Sequence, residues 1–152
     1  MPATELIPEE VKQSAILNPR VVLACTDFRN QEILISLLRQ NGLEPLPSSY
    51  LNETKFLLAH ADPALVICQS RFSDGDFRDL LRFAARIGSK VPVIVCADFY
   101  DPDAYLEAME LGAFDYFAYP YHPEAVEWVV GNALKDTLND ERVISGPQRI
   151  QA

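Results

Sequence analysis

Residues 64–87 read ALVICQSRFSDGDFRDLLRFAARI, and this stretch decides the fold. Its opening, Ala64-Leu65-Val66-Ile67-Cys68, is continuously apolar, the mark of a strand covered on both faces. A polar loop follows, in which Asp74, Gly75 and Asp76 are the residue types of turns and helix caps. From Phe77 the apolar period lengthens: Phe77, Leu80, Leu81, Ala84 and Ile87 share one helical stripe. The same alternation runs outward in both directions. Upstream, Val21 to Cys25 is a second buried strand, and Asn30 to Gln40 is a helix stopped at Gly42. Leu43 to Ser48 is a weaker strand whose two prolines place it at a sheet edge. Asn52 is expected to cap a short helix carrying Phe56, Leu57 and Leu58. Downstream, Val91 to Ala97 is a strand, and Asp101-Pro102 opens a helix to Leu111. Tyr116 to Ala118 is a short strand, and Pro123 opens a last helix with Val126, Val129, Val130, Ala133 and Leu134 inward. Five strands with helix-length crossovers give an α/β chain, a doubly wound five-stranded parallel sheet with helices on both faces. Residues 1–19 form an N-terminal extension in which Glu9 to Leu17 has two turns of helical pattern. The domain spans 20–140, and 141–152 is a C-terminal tail expected to fray.

The chain has 152 residues, enough for one domain with its own core. Thirteen Lys and Arg against 22 Asp and Glu leave a net charge of −9. That excess opposes a nucleic-acid surface, which needs clustered cations to displace phosphate counterions. The apolar runs are strand-length, so no membrane span is expected, and the acidic N-terminus MPATELIPEE is no signal peptide. Three scattered cysteines fit a reducing cytoplasm. Cys25, Cys68 and Cys96 each close a buried strand and are expected at one level, as small buried hydrophobes. No Cys-x-x-Cys or histidine spacing supports zinc, and His60 and His122 stand alone. The loop after the first strand, Thr26 to Asn30, lacks the glycines of a dinucleotide site, so no cofactor is expected. In a sheet of this kind the site lies at the carboxyl ends of the strands.

Four segments resemble the receiver domain of bacterial two-component response regulators. Thr26-Asp27-Phe28 stands where receivers place a pair of acidic residues. Gln69 to Asp76 resembles the D-x-R-x-P-D-G-D loop, and Pro92 to Ala97 the P-V-I-x-x-T/S strand. Ala108 to Tyr121 resembles A-x-x-x-G-A-x-D-Y-x-x-K-P-F. The likeness covers about residues 20–136 and implies a flavodoxin-like (βα)5 receiver fold with strand order 2-1-3-4-5. It also implies a cis peptide at Tyr119–Pro120. The chemistry departs from the family's. The phosphoryl-accepting Asp is Gln69, which has no carboxylate to form an acyl phosphate. The Thr or Ser after the fourth strand is Ala97, and the Lys is Tyr119. Of the acidic pair, Thr26 carries no charge and Asp27 is the one candidate metal ligand, thin support for Mg²⁺. A longer loop would instead put Cys25 and Thr26 in the paired places and leave Asp27 outside.

The resemblance therefore implies a pseudo-receiver: a signalling domain in a two-component or phosphorelay context, not an enzyme, acting by phosphorylation-independent binding. Two alternatives stand beside it. One is an active receiver phosphorylated at a displaced carboxylate, Asp74, Asp98 or Asp101. The other is a flavodoxin-like binder of a small ligand. Eight of the 15 aromatic residues lie between 99 and 121. Tyr100, Tyr105, Tyr116 and Tyr121 are expected to form an interaction face of fourth helix, fifth strand and fifth helix, for a protein partner or a second copy in a homodimer. Tyr116 is expected to turn inward into the space that Ala97 leaves.

Overall fold

A computed structural model describes residues 18–145, and for 136–145 only the course of the backbone. The continuous apolar runs become the strands of one sheet: β1 (Arg20–Ala24), β2 (Glu44–Ser48), β3 (Leu65–Gln69), β6 (Val93–Ala97) and β7 (Asp115–Ala118). Two further short strands, β4 (Arg71–Phe72) and β5 (Gly75–Asp76), pair only with each other as an antiparallel ribbon in the loop after β3. The sheet is parallel throughout, in the order β2-β1-β3-β6-β7. With the ribbon set aside this is the expected 2-1-3-4-5. β2 is an edge strand, and its prolines, Pro45 and Pro47, pair with Val21 and Leu23 of β1. An edge position has no second neighbour to miss the absent N–H groups.

The helices are α1 (Phe28–Gln40), α2 (Leu51–His60), α3 (Phe77–Arg86), α4 (Pro102–Glu110) and α5 (Pro123–Ser145). They divide between the two faces of the sheet. Leu34, Leu37 and Leu38 of α1 and Val126, Val130 and Ala133 of α5 pack on one face, against Val21, Leu23, Ile67 and Ile94. α2, α3 and α4 cover the other face, with Leu58, Leu80, Leu81 and Ala108 against Val22, Val66 and Val95. Arg78 of α3 ties two elements together, reaching Asp76 at 3.0 Å and Glu107 of α4 at 2.7 Å. The guanidinium beside it holds the Glu107 carboxyl below its usual range.

Three expectations need correction. Asn52 does not cap α2. The helix begins at Leu51, and the carboxylate of Asp74 accepts from the Leu51 and Asn52 N–H groups at 2.8 and 3.0 Å. The cysteines are not at one level. Ala24 pairs with Cys68, and Gln69 with Cys96, so Cys68 sits one residue earlier than its two counterparts. Side chains alternate along a strand, so Cys68 faces the α2–α4 layer while Cys25 and Cys96 face the α1–α5 layer. Finally, α5 continues to Ser145, five residues past the expected domain end. The helical pattern at Glu9 to Leu17 lies outside the described residues.

Candidate functional site

The carboxyl ends of β1, β3, β6 and β7 bring together the residues singled out at the site. Gln69 ends β3 and binds to both sides. Its Oε1 accepts from the Thr26 backbone N–H at 2.7 Å and from Thr26 Oγ1 at 3.2 Å. Its Nε2 donates to the carbonyl of Arg71 at 2.6 Å. One side chain thus joins the loop after β1 to the ribbon after β3. Both ends of the carboxamide are engaged, the state a half-buried amide requires.

Asp27 lies next to Thr26 in sequence but serves another purpose. Its Oδ1 accepts from the Asn30 N–H at 3.0 Å and caps α1. Cys25 comes immediately before Thr26, with its carbonyl held by Gln31 Nε2 at 3.1 Å. The residue against Gln69 is therefore Thr26, with Cys25 buried behind it, and Asp27 turns toward the helix. Ala97 ends β6, is buried, and accepts the Tyr119 N–H on its carbonyl at 2.9 Å. Tyr119 is 45% exposed, and the Tyr119–Pro120 peptide is cis, as the resemblance implied. Among the described residues, no group of three or more His, Cys, Asp or Glu is placed to hold a metal ion.

Of the three displaced carboxylates, two are occupied as caps. Asp74 holds the start of α2, and these backbone N–H donors keep its carboxyl below the usual range. Asp101 accepts from Asp103 and Ala104 N–H at the start of α4. Asp98 is exposed one residue beyond Ala97, and its charge acts on Cys25, Cys96 and Tyr121. The three thiols are free and buried. Burial pushes Cys25 up to about 11 and Cys68 to about 12, and raises Cys96 well above its ordinary value. They are protonated and poor nucleophiles at neutral pH.

The four tyrosines expected on one face divide. Tyr116 is buried, within the core that also holds Ala97, so it does turn inward. Tyr100 and Tyr105 pack over it, with ring centroids 6.1 and 5.9 Å from its own and 6.1 Å from each other. Tyr121 does not join them. It packs in the α1–α5 layer against Phe117, at 5.2 Å, with the Tyr119 ring 5.7 Å away. The reason is the turn after β7, which carries the chain across the sheet edge to begin α5. Tyr100, 57% exposed, and half-buried Tyr105 are what the α4–β7–α5 face offers, with Leu106 exposed beside them.

Sequence reasoning did not single out Phe28 or Tyr50 at this edge, and counted Phe99 only within the aromatic cluster of 99–121. They are 68%, 57% and 71% exposed. Their position between the end of a strand and the first residue of the helix that follows was the available signal.

No protein-family model matches the sequence, and no curated protein matches it. Solved structures do. The receiver domain of Francisella response regulator 1452 superposes with a TM-score of 0.73 at 20% identity, over 79% of this chain and 99% of that one. The non-phosphorylated HemR receiver domain of Leptospira biflexa gives 0.69 at 21% identity, over 77% and 94%. The beryllofluoride-activated NtrC4 receiver domain dimer gives 0.73 at 19% identity, over 78% and 98%. At this level of identity the likeness establishes a shared architecture: the chain has the flavodoxin-like fold of receiver domains, a five-stranded parallel sheet between two helical layers.

Proposed function

We propose that this chain is a degenerate receiver, a two-component or phosphorelay signalling domain that works by binding protein and not by carrying a phosphoryl group. One observation carries the reading: the side chain at the end of β3 is a carboxamide with both its oxygen and its nitrogen already hydrogen-bonded within the protein. An amide cannot form the acyl phosphate that a carboxylate forms. The neighbours add nothing to replace it. Thr26 is uncharged, Asp27 caps a helix, Ala97 has no hydroxyl, and Tyr119 has no cationic tip. Binding would use the α4–β7–α5 face, where Tyr100 and Tyr105 supply rigid aromatic area, and the occupant would be a protein partner or a second copy. The receiver fold supports a signalling role, and in this reading the chain is not an enzyme.

The test is incubation with acetyl phosphate and Mg²⁺ followed by intact-protein mass spectrometry. The parent should take no phosphoryl group, and beryllofluoride with Mg²⁺ should not shift the amides of residues 69–76. Gln69→Asp alone should also remain unmodified, because Thr26, Ala97 and Tyr119 still provide neither metal nor anion contacts. A phosphorylated parent overturns the reading. The alternative then is a displaced acceptor, and peptide mapping should find it at Asp98, the one of the three candidates Asp74, Asp98 and Asp101 that caps no helix. For the small-ligand alternative, the described residues offer a groove along the outside of α1, lined by Ile35, Ser36 and Arg39, away from the vacant chemistry.

A further inference from the structure

The exposed aromatic residues are not scattered. Phe28 follows β1, Tyr50 follows β2, Phe99 and Tyr100 follow β6, and Tyr119 follows β7. Each is between 45% and 71% exposed, and all five stand on the carboxyl edge of the sheet. Single exposed apolar residues need no explanation, but rings delivered by four separate loops to one edge do. The same edge is acidic. Asp27, Glu53, Asp74, Asp98, Asp103 and Glu124 are exposed there, against Arg29 and Arg71.

We propose that this carboxyl edge is a docking surface for a basic protein segment, one whose Lys or Arg side chains lie over the exposed rings while their charges face the surrounding carboxylates. The proposal deepens the protein-binding reading and rests on it, but it assigns a second surface, centred on the carboxyl edge and meeting the α4–β7–α5 face at Tyr100. Charge complementarity selects the occupant. An aromatic face attracts a cation through its quadrupole, and an adjacent carboxylate adds to that attraction. A second copy is disfavoured here, because a two-fold contact would set this acidic edge against itself. Nucleic acid and anionic lipid meet the same repulsion. The size fits as well. Four strand spacings make the edge ~19 Å wide, the length of about six extended residues. Gln69 closes the centre of the edge with its own hydrogen bonds, so an occupant would lie across it and not enter it.

The experiment titrates the full ¹⁵N-labelled chain with two synthetic peptides, one alternating Arg and Leu and one alternating Glu and Leu. The basic peptide should shift amides around residues 26–29, 49–51, 98–101 and 119–122, and added salt should weaken it. Phe28→Ser with Phe99→Ser should reduce its affinity at least about tenfold. Phe56→Ser and Trp128→Ser, which remove exposed rings elsewhere, should leave it unchanged. The acidic peptide, duplex DNA and phosphatidylserine vesicles should not bind. The proposal is overturned if the basic peptide fails to bind, if the Phe28/Phe99 variant binds like the parent, or if any anionic probe shifts the same amides. Shifts confined to α4–β7–α5 would remove this surface yet leave the protein-binding reading intact. Phosphorylation in the acetyl phosphate test would remove that reading instead.

Discussion

Gln69 and Asp74 lie five residues apart and hold different parts of the molecule. The Gln69 carboxamide fastens the loop after β1 to the ribbon after β3. Truncating it to alanine removes both links and leaves the Thr26 N–H without its acceptor. A hydrogen bond of this kind is worth about 0.5–1.5 kcal/mol, so hydrogen exchange at Thr26 should speed up roughly two- to tenfold in Gln69→Ala. Unchanged exchange would mean that the loop is held by something else. Asp74 holds the start of α2 with its charged form, which is why its carboxyl sits below the ordinary range. A depressed folded-state value contributes stability that is present above the unfolded value, ~3.9, and lost as pH falls through the folded one. Asp74→Asn should therefore lower the urea midpoint at neutral pH, and the gap to the parent should close in acid below ~3.9. A gap that stays constant across this window would show that the carboxylate charge is not what stabilises the helix start.

Asp74, Gly75 and Asp76 act together as a clasp between elements. Asp74 caps α2 across the loop, while Asp76 caps α3 in a reciprocal box with Asp79. Gly75 between them has φ 155°, and a Cβ there would collide with the Leu51 side chain and come within 2.7 Å of Asp79 Oδ2. The side chains of Leu51 and Asp79, at the two helix starts, would both have to move, and the positive φ would strain any residue with a Cβ. Gly75→Ala should cost about 1–3 kcal/mol, read by denaturant titration, with far-ultraviolet ellipticity showing whether the fold survives. At this scale the strands were legible because a buried parallel strand is a continuous apolar run. α3 and α4 were legible because their own caps precede them. The start of α2 was not, because its cap comes from a residue more than twenty positions later, and a local rule cannot see that contact. The offset of Cys68 was hidden for a related reason. Three strands can end in the same residue and still differ by one place in register, and one place reverses the face.

Across the whole molecule, what was legible at the site was the loss of chemistry. Gln69, Ala97 and Tyr119 have the wrong functional groups wherever their side chains point. The inward turn of Tyr116 was legible, but the place of Tyr121 was not, since that depends on the layer each loop enters. Tyr121 crosses to the α1–α5 side, and Tyr116 is covered by Tyr100 and Tyr105. The structure thus separates two surfaces with different electrostatics, and salt should tell them apart. Two copies meeting at α4–β7–α5 must overcome the repulsion between chains that each carry −9. Salt screens that repulsion, with a Debye length falling from ~30 Å at 0.01 M to ~10 Å at 0.1 M, so self-association through this face should strengthen as salt is added. The carboxyl edge should behave oppositely, because attraction between a basic segment and its carboxylates weakens under the same screening. Sedimentation velocity across that salt range measures the first, and the Arg-Leu peptide titration the second. Tyr105→Ala with Leu106→Ser, which leaves all five rings of the carboxyl edge in place, should abolish the salt-strengthened association and spare the peptide. If the Tyr105/Leu106 variant associates like the parent, or if salt moves both equilibria in one direction, these are not two separate surfaces.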